Sequence, residues 1–243
     1  MSFLDQLNPE QREAVLHRDG PLLFLAGAGS GKTRVICCRL AYLIGDGHAE
    51  PDQVLAVTFT NKAAEEMRGR VEQLLESESP RLWISTFHAF CARVLRREAP
   101  LIGLSRDFVI YDSVDQLSAV RQAMRDLNVD DKITPPRSLL SRISHAKNRM
   151  ESAADIRQNS HSFGDDQLAA VYELYLKTLR TSGALDFDDL LLKAVTLFET
   201  SKNARERYAN RFRYVMIDEY QDTNRPQYML IRLLTDQHRN LCV

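Results

Sequence analysis

Phosphate chemistry is written into residues 26–33, Ala-Gly-Ala-Gly-Ser-Gly-Lys-Thr. A phosphate group needs several N–H donors converging on it, and glycines let a backbone wrap that closely because no Cβ intrudes. A helix following such a loop adds its free N–H groups and the positive end of its dipole. The run fits the G-x-x-x-x-G-K-[ST] pattern except that Ala26 stands where the first glycine would be. Ala28, Gly29, Ser30 and Gly31 are then the cradle, Lys32 reaches the β- and γ-phosphates of a bound nucleotide, and the Thr33 hydroxyl holds Mg²⁺. A second group lies far along the chain in Tyr-Val-Met-Ile-Asp-Glu, residues 214–219. Asp218 and Glu219 end an apolar run, which puts them at the carboxyl edge of a strand, where open α/β sheets bind ligands. Asp218 is expected to help hold Mg²⁺. Glu219 is placed to orient or deprotonate a water attacking the γ-phosphate. The catalytic set is Lys32, Asp218 and Glu219, with ATP and Mg²⁺ as cofactors.

Regular elements must bring these groups together. Leu-Leu-Phe-Leu-Ala (22–26), Val-Leu-Ala-Val-Thr-Phe (54–59), Leu-Trp-Ile-Ser (82–85) and Tyr-Val-Met-Ile-Asp (214–218) read as buried strands. Residues 32–45 and 61–75 carry apolar side chains at helical spacing. Strand, helix, strand is the signature of a parallel sheet covered on both faces. Beyond about Pro100 the pattern turns mostly helical, over 113–127, 136–149 and 166–180, with Pro135-Pro136 opening one helix. Phe-Val-Ile-Tyr (108–111) hints at a strand, and 158–166 reads as an exposed loop. The expectation is an α/β domain over 1–100 and 185–243, interrupted by a helical subdomain over 101–184. The closing Asn-Leu-Cys-Val looks like the start of another buried strand, so the chain is expected to be part of a longer protein.

Composition narrows the class. Of 243 residues, 44% are hydrophobic, ample for a packed core. Lys+Arg 32 against Asp+Glu 33 gives a net charge of -1, so any nucleic-acid-binding surface must be local. The 4 cysteines form no C-x-x-C pair, which predicts reduced thiols in a cytoplasmic protein rather than a disulfide scaffold or a zinc site. The N-terminus does not read as a signal peptide, and no apolar run approaches the ~20 residues a membrane span needs.

Six stretches in order along the chain resemble the UvrD/Rep/PcrA-type DNA helicases of superfamily 1. They are LNPEQREAV, AGAGSGKTR (including Ala26), VLAVTFTNKAAEEMRGRV, STFHAFCARVLR, DFDDLL and VMIDEYQDTN. The resemblance implies a RecA-like sheet domain with a helical domain inserted before the Asp-Glu strand. It implies that Gln11 reads the adenine edge and that Arg34 lies near the nucleotide. It also implies 3′-to-5′ translocation on single-stranded DNA, action at single-to-double-strand junctions in repair or replication, and a second RecA-like domain supplying arginines to the ATP site.

Two loops are then candidates for DNA contact. Phe59 follows a strand within Thr-Phe-Thr-Asn, and is either a buried anchor or a platform on which a base stacks, worth ~1–3 kcal/mol per base. The resemblance favours stacking. Asn61 is a DNA contact and the expected cap of the following helix. Thr86 and His88 offer donors to phosphate oxygens, with a purely structural histidine as the alternative. Phe87 and Phe90 read as core. Asp186 reads as a helix cap and Phe187 as structural. Arg142, His145, Lys147 and Arg149 form either a solvated helix face or, as the resemblance suggests, one facing DNA. An ATP-gated DNA clamp and a small P-loop kinase are the competing functions.

Overall fold

A computed structural model describes residues 2–27, 29, 31–160 and 162–243. They form two compact units. The first comprises Met1–Phe90, Ser201–Thr223 and Leu230–Val243, and the second Cys91–Thr200 and Asn224–Met229. These limits differ from the sequence boundaries at 100/101 and 184/185.

The first unit is built on four parallel strands. β1 (Val54–Thr58) pairs with β2 (Trp83–Thr86) on one side and β5 (Tyr214–Ile217) on the other, and β6 (Leu241–Cys242) lies beyond β5. Every β1 residue is buried, because alternate side chains enter cores on opposite faces. Val54 and Ala56 pack with Ile36, Leu40, Met67 and Met216, contributed partly by α2 (Lys32–Gly45) and α3 (Asn61–Leu75). Leu55 and Val57 share the other side with Phe87, Phe90, Val215 and Ile217. Both phenylalanines are thus core, as the sequence predicts. Trp83, Phe90 and Phe212 meet edge to face at 5.0–6.0 Å. α1 (Pro9–Leu16) packs on α2 through Ala14 and Val15, and α10 (Lys202–Arg211) leads into β5.

The predicted strand over 22–26 is only partly formed. Leu22 bridges Cys242 in parallel, and the Leu22 and Phe24 amides donate to Leu241 and Val243 carbonyls at 2.8 Å. Leu23 and Leu25, the alternate residues, are 64% and 83% exposed, so this segment lies at the edge of the described sheet. Because this segment and all four strands run the same way, their carboxyl ends share one edge. The loops carrying Lys32, Phe59, His88 and Asp218 all leave from that edge.

The second unit is helical. α4 (Phe87–Glu98) begins in the first unit and continues into the second, followed by α5 (Ser113–Asp126), α6 (Pro136–Asn148), α7 (Ala153–Gln158) and α8 (Phe163–Thr181). Val120, Leu139, Ile143, Tyr172, Tyr175 and Leu179 make its core. Asp112 caps α5 by accepting the Val114 and Asp115 amides at 2.7 and 2.9 Å. Pro136 occupies the first turn of α6. The predicted 158–166 loop is shorter than expected, since Ser162 caps α8 and the helix starts at Phe163; His161 lies outside the described residues.

The hinted strand at 108–111 is real: β3 (Val109–Ile110) pairs in parallel with β4 (Ala184–Leu185). That pairing holds Asp-Phe-Asp-Asp with the helical unit, and α9 (Phe187–Thr200) packs against α6 there, so the second unit extends to Thr200. α11 (Arg225–Thr235) follows the Asp-Glu loop. No helix among the described residues is long and apolar enough to cross a membrane.

Candidate functional site

The loop after Phe24 reverses into α2 through two left-handed glycines, Gly29 (φ 75°) and Gly31 (φ 86°), the latter capping α2. A side chain at either would be strained, which explains glycine there. Ala28 and Ser30 of the predicted cradle lie outside the described residues. Lys32 opens α2, and its Nζ donates to the Ala26 carbonyl at 3.3 Å and the Gly27 carbonyl at 3.5 Å. Its ammonium therefore folds back over the loop that it would share with a phosphate.

Thr33, one residue on, donates its hydroxyl to Asp218 Oδ2 at 3.2 Å, across 185 positions of sequence. β5 ends at Ile217, and the Asp218 amide donates to the Val57 carbonyl at 3.0 Å, which locks the acid against β1. Asp218 is 6% exposed, and its Oδ1 is buried without a partner. Burial, and then the neighbouring Glu219 charge, raise its carboxyl above the usual range, against the Thr33 hydrogen bond and the Lys32 charge. An orphaned carboxylate oxygen beside a threonine hydroxyl fits a hard cation such as Mg²⁺, which takes oxygen ligands and dehydrates reluctantly.

Glu219 has a left-handed backbone (φ 53°), uncommon for a residue with a side chain. It is exposed and accepts a hydrogen bond from Gln221 Nε2. Lys32, Asp218, Glu219 and Gln221 line one cavity of about 300 Å³, floored by Val35, Ile36 and Ile217.

The other predicted residues sit on neighbouring loops. Phe59 is half-buried, its ring edge-to-face with Phe87 at 5.8 Å, so one part is anchored and part remains open. Asn61 is exposed and is the first residue of α3 rather than its cap. Thr60 is the cap, accepting the Ala63 amide at 3.1 Å, because its backbone is extended while Asn61 is already helical. Thr86 is buried and accepts the Ala89 amide at 3.2 Å, which occupies its hydroxyl at the start of α4. His88 is half-buried, and burial pulls its pKa down, so it meets neutral pH as an uncharged imidazole.

Residues 7–243 match the family described as the UvrD/REP helicase N-terminal domain. The chain belongs to this family. Among similar proteins are the ATP-dependent DNA helicases PcrA of Staphylococcus epidermidis and Staphylococcus aureus. Each is 45% identical over 242 residues, covering 100% of this chain and 33% of the relative. The chain thus spans about a third of the length of these relatives.

Within this UvrD/REP domain, Gln11 and Arg34 sit beside the loop. The Gln11 amide nitrogen is 3.5 Å from where a Cβ on Gly31 would stand. Arg34 donates to the Gln6 carbonyl and side chain at 3.3 and 3.2 Å, and lines a cavity of about 330 Å³ with Cys38 and Arg70. All four cysteines are buried and free, and burial drives the Cys37 thiol up to about 12.

The basic run of α6 is not one face. Lys147 is 1% exposed and bonds Asp186 at 2.6 Å and Asp189 at 2.7 Å. Arg142 pairs with Asp165 at 2.8 Å and Arg149 with Glu151, leaving the exposed His145. Asp186 does cap α9, taking the Asp189 amide at 2.8 Å, and also accepts the Tyr175 hydroxyl at 2.8 Å. Phe187, read from the sequence as structural, is 47% exposed in the first turn of α9. The sequence reading set Lys147 on a solvated or DNA-facing side of α6, where the structure buries it. Lys147 was readable, standing four residues after Ile143 on the apolar side of α6.

Proposed function

We propose that this chain is the nucleotide-binding part of an ATP-dependent DNA helicase that moves 3′ to 5′ along single-stranded DNA. Catalysis rests on Lys32, Asp218 and Glu219. One observation carries the reading: the Thr33 hydroxyl lies 3.2 Å from Asp218, beside Lys32, although 185 positions separate them. In this reading the backbone around Gly29 and Gly31 cradles the phosphates, Lys32 neutralises their charge, and Thr33 and Asp218 hold Mg²⁺. When bound, the metal would supply charge neutralisation on the nucleotide's phosphates. Glu219 orients a water and takes its proton. Its exposure at the cavity mouth and its left-handed backbone suit a group that must meet a nucleotide arriving from solvent.

Gln11, at the same end of α2, reads the base. Phe59, with part of its ring open, stacks a nucleotide base, and His88 donates as a neutral imidazole to a phosphate oxygen. The parallel strands support this division, since one sheet edge carries both the phosphate-binding loops and the DNA-facing loops.

The test uses the full-length protein. ATP turnover should rise when single-stranded DNA is added, which separates a motor from a small kinase, and a strand-displacement assay separates a motor from a clamp. Glu219→Gln should lower kcat by about 10²–10⁴-fold, the usual worth of a positioned base, while nucleotide still binds. Turnover that is unmoved by both DNA and Glu219→Gln would refute the assignment.

A further inference from the structure

Arg39 is 2% exposed and belongs to α2, seven residues after Lys32. Its guanidinium donates to the carbonyls of Ala14 at 3.1 Å, Val15 at 3.5 Å, Arg18 at 3.0 Å and His17. Ala14 and Val15 lie in the last turn of α1, whose carbonyls lack intrahelical partners, His17 is its cap, and Arg18 follows it. The Arg39 Nε is buried with no partner, and among the described residues no carboxylate lies within ion-pair distance of it. The cation is held by carbonyl dipoles and the negative end of a helix.

The other end of α1 carries Gln11. Asn8 and Gln11 cap the helix reciprocally: the Gln11 amide donates to Asn8 Oδ1 at 2.7 Å, and the Asn8 amide to Gln11 Oε1 at 3.2 Å. Fixing Oε1 in this way turns Nε2 toward Gly31 at the start of α2. Where Gln11 stands therefore depends on where α1 stands along α2. An eight-residue helix does not hold itself. The apolar contact through Ala14 and Val15 keeps α1 on α2 but is non-directional and does not fix its axial register. The fork of Arg39 is directional, and it takes carbonyls both in the last turn of α1 and just beyond its end.

We propose that Arg39 is a positioning residue that holds α1 in register on α2, and thereby sets the reach of Gln11 toward the nucleotide base and the preference for adenine. This rests on the reading that Gln11 contacts the base. Lysine cannot reproduce the grip, since a single ammonium carries the charge without the planar fork.

The experiment measures KM and kcat for ATP and GTP in the full-length protein, for the parent, Arg39→Lys, Gln11→Ala and the double variant. Arg39→Lys should raise KM for ATP roughly fivefold, about one hydrogen bond's worth, and lower the ATP-over-GTP preference. Its kcat should change less than twofold, as expected when only uniform binding is lost. In the Gln11→Ala background Arg39→Lys should leave the preference where it stands. If Gln11→Ala keeps the full ATP preference, the base-reading role fails, and with it the premise of the proposal. If Gln11→Ala reduces the preference but Arg39→Lys does not, or if Arg39→Lys reduces it equally in both backgrounds, the Arg39 proposal alone is overturned. Arg39→Gln, which keeps two N–H donors without the buried charge, serves where Arg39→Lys does not fold.

Discussion

The two oxygens of the Asp218 carboxyl are unequally satisfied, as the proposed role in holding a cation requires. One oxygen takes the Thr33 hydroxyl and the other, buried, has no partner. Burial is the largest influence on it and raises its pKa above that of an ordinary aspartate. Folding therefore favours its protonated form. The carboxyl is tolerated at low pH, and stability is lost as pH rises through the raised value. It follows that Asp218→Asn should melt higher than the parent chain at pH 7.5. The gain should be at most about 2–4 °C, since water at the cavity mouth keeps the term below ~1 kcal/mol. The difference should vanish as pH falls below the ordinary carboxylate range, where both side chains are neutral. Mg·ATP should raise the melting temperature of the parent and not of the variant. A variant that melts lower at pH 7.5 would mean that the carboxylate serves the fold.

The elements differ in how legible they are in the chain, and the reasons are local. The spans of α2 and α3 are legible because their apolar positions recur at helical spacing, whereas the cap of α3 is not, since Thr60 and not the expected Asn61 takes that place. The strand over 22–26 was over-read: its composition is that of a central strand, yet in the described sheet it sits at an edge and pairs only through alternate residues. The pairing of β3 with β4 was invisible, since two-residue strands 75 positions apart leave no periodicity. At the site, Lys32, Thr33, Asp218 and Glu219 were legible because motif spacing is local. Arg39 was not, since its partners are backbone carbonyls, which no residue type announces.

In the α6–α9 packing Lys147 is buried between two acids. Its own burial works against its charge, but Asp189 and Asp186 outweigh that and hold its pKa above the ordinary lysine value. Lys147→Met would leave both acids buried beside an apolar side chain. We expect a loss of about 3–5 kcal/mol in urea unfolding, the range for breaking a buried pair from one side. Adding Asp186→Asn and Asp189→Asn to Lys147→Met should recover more than half of it, because no unpaired charge remains. If the triple variant is no more stable than Lys147→Met, desolvated charge is not the source of the loss and shape is.

At the scale of the molecule, the proposed phosphoryl transfer would set gathering negative charge in a cavity with little positive charge to meet it. Lys32 is the only cation among the described residues lining it, opposite the acids Asp218 and Glu219. A bound Mg²⁺ would offset those acids, but charge gathering on the transferring phosphoryl group would still face one ammonium. An arginine brought in from another domain is typically worth ~10³–10⁵ in rate. The relatives extend to about three times this chain's length, ample for such a domain. The 243-residue chain should therefore bind Mg·ATP, visible as a rise in melting temperature, yet turn it over at least ~10³-fold more slowly than the full-length protein on single-stranded DNA. Supplying the remaining length as a separate polypeptide at increasing concentration should raise the rate toward the full-length value if the missing cation comes from there. A chain that alone matches the full-length rate would show that Lys32 and the metal suffice. In that case the left-handed Glu219, not a borrowed arginine, would be the residue on which the rate depends.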